Sequence, residues 1–187
     1  MSELRAFLID RFRRSHRTLL AMVDGLTEEQ YAWRPTPSAH NIAFQVWHLA
    51  RTADDIQATL RQASPSARAV LGAGEQIWFA ESLARRWGLN PAELGAGESG
   101  YEMDDAAAAR LRFPPKAEVV GYMRRAFEAL EQALEAVQED WTAFRYTHWG
   151  DDAPLWQQAV DYLTHHDWNA GYIAALRRAQ GLPRVVA

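Results

Sequence analysis

Four long stretches of this chain place apolar residues at helical spacing, and no stretch alternates convincingly at period two between turns. The first runs through Leu4, Leu8, Phe12, Leu19 and Val23, with Ser2 as an N-cap and Gly25 as a stop. The second starts behind Asn41 and carries Ile42, Phe44, Val46, Leu49 and Ile56 to about Gln62. The third extends from about Lys116 to Glu139, with Val119, Tyr122, Met123, Phe127, Leu130 and Leu134 on one stripe. The last begins at Pro154, carries Trp156, Val160, Leu163, Ile173 and Leu176, and stops at Gly181-Leu182-Pro183. Stripes of this kind are stable only when buried against one another, so the pattern predicts an all-α four-helix bundle. A chain of 187 residues suits one domain over 1–187.

The stretches between are shorter and more broken. Thr27-Glu28-Glu29-Gln30 matches a capping box and predicts a short turn of helix. Residues 63–75 read as loop, and 76–87 as a shorter helix ending at Gly88. Residues 90–103, rich in glycine, read as an excursion that forms a flexible cover or an interface loop. Asp104 to Leu111 reads as a brief alanine-rich helix, and 141–153 as irregular. The prediction is therefore a bundle with a short-helix and loop segment inserted between its second and third long helices.

Composition narrows the chemistry. There is no cysteine, which removes disulfides, thiolate ligands and cysteine nucleophiles together. The net charge of −4 and the lack of a basic stripe argue against a nucleic-acid partner. No apolar run reaches the length of a membrane span and no cleavable signal pattern is visible, so the expectation is a cytoplasmic protein without a membrane partner. Gly-x-Ser-x-Gly and phosphate-cradling motifs are missing, and Ser99 lacks the strand-turn-helix setting that activates a nucleophile.

What remains is histidine. His48 falls in the middle of the second long helix, and His165 and Asn169 stand four apart on the last one, hence on one face. Three donors could converge there as an open metal site, although an amide oxygen is a poor ligand for zinc or nickel. The structural alternative for His48 is a buried imidazole bonded to a carbonyl or to Asp55, itself a second-layer orienter or a surface carboxylate. Trp47 and Trp168 adjoin the candidate ligands, and Tyr172 lies near them, so these three are the candidate pocket residues, with core anchors as the alternative. His166 must point elsewhere on its helix; His16, among arginines, and His40 and His148, in loops, read as exposed.

Ile42-Ala43-Phe44, Trp47-His48-Leu49-Ala50-Arg51, His165-x-x-x-Asn169-x-Gly171 and the opening Leu26-Thr27-Glu28-Glu29-Gln30-x-x-Trp33-Arg34-Pro35 together resemble the DinB/YfiT-like superfamily over essentially the whole chain. The resemblance implies a four-helix bundle, often a homodimer, with a divalent metal such as zinc or nickel held by three histidines. His48 and His165 match two of those positions, and Asn169 stands at the third. It also implies thiol-dependent transferase or hydrolase chemistry with a low-molecular-weight thiol, or a stress-related bundle protein that binds a small molecule without metal.

Overall fold

The structure is a computed structural model that describes residues 2–185. It is mostly helical. Helix α1 (Glu3–Val23) is capped by the Ser2 side chain, which accepts from the Arg5 N–H. Helix α2 (Glu28–Ala32) carries the full capping box, with both Thr27–Gln30 contacts made. Helix α3 (Ile42–Ala63) starts at Asn41, whose side chain accepts from the Phe44 N–H. The remaining long helices are α8 (Lys116–Ala136) and α9 (Leu155–Ala179). Helix α3 packs along α8 and also meets α9, while α1 packs on both α9 and α8.

Their facing stripes form a continuous core in which Phe12, Trp47, Tyr122, Phe127 and Tyr162 are among the largest buried side chains. Each such side chain contributes about 1.5–3 kcal/mol by leaving water, which locks the relative rotation of the helices. No helix among the described residues is long and apolar enough to cross a membrane.

Three segments differ from the sequence expectation. Residues 65–71 are helical (α4, Pro65–Leu71), because Ser64 is an N-cap and Pro65 occupies the first helical position. The helix expected over 76–87 is two single turns, α5 (Ile77–Ala80) and α6 (Leu83–Arg86), parted at Ser82 with its φ of 51°. Residues 145–154 form a two-stranded antiparallel hairpin, β1 (Arg145–His148) and β2 (Asp151–Pro154). Its two loop residues, Trp149 and Gly150, both have positive φ (51° and 88°), the geometry that follows the twist of a tight hairpin. The brief helix α7 (Asp105–Arg110) lies where the alanine-rich run predicts it.

Candidate functional site

Helices α3 and α9 bring His48 and His165 together, with their Nε2 atoms 2.9 Å apart. The His48 Nδ1–H donates to the Ser99 carbonyl at 2.7 Å, so its Nε2 lone pair faces His165. Asn169 reaches the same point one turn along α9. Its amide nitrogen donates to the His165 carbonyl at 2.8 Å and lies 3.2 Å from His165 Nε2. The amide therefore presents N–H, not oxygen, to the pair. Burial lowers the pKa of His48 against the opposing Ser99 contact, and burial, aided by nearby His48, holds His165 down at about 4. Both rings are neutral at pH 7.

If His165 Nε2 accepts from Asn169, two bare lone pairs face each other at 2.9 Å. If His165 Nε2 is protonated instead, its N–H donates to the His48 Nε2 lone pair at 2.9 Å beside the Asn169 amide; the buried His165 Nδ1 has no partner in either case. A divalent ion bound by both lone pairs resolves the first state, and a backbone carbonyl behind one ring is the usual support of a ligating histidine. The donor set thus fits a metal through two imidazoles, with Asn169 as a hydrogen-bond donor beside them. Among the described residues no group of three or more His, Cys, Asp or Glu side chains gathers to hold an ion.

The pair lies in a cavity of about 480 Å³ whose lining includes Arg51, Asp55, Phe79, Ser99, Tyr101 and Trp149. One wall is the segment 95–100, part of the 90–103 excursion read from the sequence as a flexible cover or an interface loop. It is tied down instead. The Arg51 Nε–H donates to the Glu98 carbonyl and one Nη to Gly97 and Gln76, while the other Nη reaches Asp54 and Tyr122. Positive φ at Gly97, Glu98 and Gly100 turns these carbonyls inward. Asp54, fully buried, also accepts the first two N–H groups of α5, from Ile77 and Trp78. That links the cavity wall to α3.

The candidate pocket residues do not line this cavity. Trp47 is fully buried, packed on Phe44, Trp78 and Phe113. Trp168 is 74% exposed on α9, and Tyr172 is 39% exposed near His40. For the two tryptophans the reason is geometric: sequence neighbours on a helix point about 100° apart, so flanking a ligand does not mean facing its site.

Sequence reasoning missed several groups. His148, expected to be exposed, is buried on β1, with its Nε2 2.9 Å from the Asp55 carboxylate and its Nδ1 2.8 Å from the Tyr162 hydroxyl. Tyr162 continues to the Tyr146 hydroxyl at 2.7 Å, and burial raises the pKa of both phenols. Asp55 is accordingly a held cavity carboxylate and not a free surface one. His16, expected to be solvated, stacks on Phe127 at 3.9 Å and meets Glu131 at 2.6 Å. Its place on the Phe12–Leu19–Val23 stripe was the available signal. His40 is partly buried, 3.3 Å from Asp105. His166 points away from the pair, as expected, and is completely buried.

The sequence pattern of the DinB superfamily matches residues 11–173. A crystal structure described as the conserved protein of locus from Enterococcus faecalis is 15% identical, covering 97% of this chain and 99% of its own, with a TM-score of 0.68. At that identity the likeness shows the fold. No curated protein matches this chain.

Proposed function

This chain belongs to the DinB superfamily, and on that premise we propose that it is a metal-dependent enzyme, a thiol-dependent transferase or hydrolase, built as a single-domain four-helix bundle of α1, α3, α8 and α9. His48 and His165 hold a divalent metal, zinc or nickel. The observation that carries this is the facing of their Nε2 atoms at 2.9 Å while His48 Nδ1 is committed to Ser99.

When bound, such an ion supplies Lewis acidity that lowers the pKa of a coordinated thiol or water. The protein's own residues do the rest. Ser99 fixes the His48 tautomer and ring angle. Asn169 occupies the family's third histidine position and steers a ligand by N–H donation, so the site keeps more open positions than a three-histidine one. Arg51 holds the wall against which substrate rests, and Phe79, Tyr101 and Trp149 displace water from it. Exposed Trp156, Val160, Trp168 and Tyr172 on α9 support pairing of two copies as a homodimer.

Metal content tests the reading. Tag-free protein loaded with zinc or nickel should retain about one ion per chain, and His48→Ala should retain none. Asn169→His should tighten binding at least tenfold. Wild type that stays metal-free while Asn169→His gains an ion would favour a second reading, a small-molecule-binding bundle without metal. The amide N–H that Asn169 turns toward the pair is the observation on that side.

A further inference from the structure

Among the described residues that line the cavity, Arg51 and Asp55 are the only formally charged ones. Arg51 is 1% exposed, paired with buried Asp54 at 3.4 Å, and every N–H of its guanidinium faces an acceptor. It has nothing left to offer an incoming anion. Asp55 is different. Its side chain is 33% exposed, with Oδ1 accepting from Gln76 at 2.7 Å and Oδ2 bonded to His148 at 2.9 Å. His148 Nε2 donates to Asp55 while its Nδ1 meets the Tyr162 hydroxyl, so His148 and Gln76 together take one lone pair from each carboxylate oxygen. Each oxygen keeps a lone pair for the cavity.

Around this carboxylate the same cavity gathers Phe79, Tyr101 and Trp149, which are 47%, 65% and 53% exposed. Aromatic faces attract cations, and Phe79 already carries the Arg51 guanidinium 5.1 Å from its centroid. Trp149 is held there at a cost. Its φ of 51° lies in the left-handed region, which an aromatic residue occupies only when its surroundings impose it. The tight β1–β2 turn imposes it, and the indole then rests by the His148 and Tyr162 rings, 4.7 Å and 5.2 Å away. So the hairpin that delivers His148 to Asp55 also delivers the exposed indole.

We infer that this cavity takes a cationic, amine-bearing ligand, whose ammonium is held by Asp55 within the ring of Phe79, Tyr101 and Trp149. The inference rests on the proposed ligand cavity but not on a bound metal. Asp55 lies seven positions beyond His48 on α3, about 10 Å along the axis. The ligand's charged end and the end that meets the imidazoles are therefore separate parts of one molecule.

The test uses the full chain stripped of metal by a chelator, with benzylamine, benzyl alcohol and benzoate as probes and calorimetry as the readout. At about pH 8 benzylamine is an ammonium and ordinary imidazoles are neutral. Benzylamine should bind at least tenfold tighter than benzyl alcohol, and benzoate weakest. Asp55→Asn should remove that tenfold preference while leaving benzyl alcohol binding unchanged. Trp149→Ala should weaken benzylamine severalfold, and it spares the buried hydrogen bonds should Asp55→Asn fail to fold. Equal binding of amine and alcohol, tighter binding of benzoate, no benzylamine binding at about 10 mM, or an Asp55→Asn variant that folds and keeps the preference would each overturn the inference. The metal reading is scored separately, because its readout is ion content in the His48→Ala protein.

Discussion

His48 and His165 lie 117 positions apart in the chain, and their Nε2 atoms are 2.9 Å apart in the fold. The contact joins α3 to α9, and behind it Ser99 joins α3 to the wall of the cavity. Substitutions that move either support should therefore register at the pair.

Gly100 is the sharpest such support. Its φ is +86°, and a Cβ there would come within 2.9 Å of both the Phe44 and Trp47 rings. Gly100→Ala should cost roughly 1–3 kcal/mol of stability, read by denaturant unfolding. It should also loosen the Ser99 contact, so that the His48 ring signal shifts in NMR more than signals from α1. An unchanged midpoint would contradict this.

Asp54→Ala should be among the most damaging single changes. The carboxylate serves the Ile77 and Trp78 N–H groups, Tyr122, Gln57 and Arg51, all at a site without solvent. Its removal strands the buried Arg51 charge, at a cost of about 3–5 kcal/mol. A thermal midpoint within a degree or two of wild type would show that Arg51 finds another partner.

Acid should weaken the α4–α8 junction through Glu139. Partial burial pushes its pKa up, but hydrogen bonds from the Ser66 hydroxyl and N–H and from the Ser64 hydroxyl outweigh that and hold it at about 2. The folded pKa is below the unfolded one, near ~4.3. The contribution is thus fully present above that value and is lost as pH falls from it toward 2. Glu139→Gln should flatten this part of the stability profile, by on the order of 1 kcal/mol given the solvent screening of the site. An identical slope in the variant would remove Glu139 from the account.

At His166 a substitution should help. The side chain is fully buried, and neither ring nitrogen has a hydrogen-bond partner. Burial, with the nearby histidines adding to it, lowers its pKa strongly, so it is carried as a neutral, unsatisfied ring. His166→Leu should stabilise the protein by roughly 1–2 kcal/mol, since an unpaired buried polar group is removed at similar volume. Destabilisation of that size would mean the ring nitrogens are satisfied by water.

The sequence made some of this visible and hid the rest for physical reasons. His48 and His165 could be paired because each sits inside a long, patterned helix, away from its ends. Helical stripes orient side chains before any tertiary contact is known. Trp47 and Trp168 were misplaced because adjacency along a helix rotates a side chain away from its neighbour. Trp149 reaches the cavity only through a hairpin whose strands are four residues each, too short for a period-two signal. The Asp55–His148 contact spans 93 positions and depends on that hairpin, so no local pattern could announce it. The helix at Pro65 was legible in Ser64-Pro65, a start signal set among loop-forming residues.

The tethering of residues 97–99 by Arg51 and His48 has a bearing on traffic through the cavity. A wall anchored from two successive turns of one helix has no hinge on which to swing. The open side of the cavity is instead rimmed by Tyr101 and Trp149, both more than half exposed, so a ligand's way in would pass these two side chains and leave the tethered wall where it is.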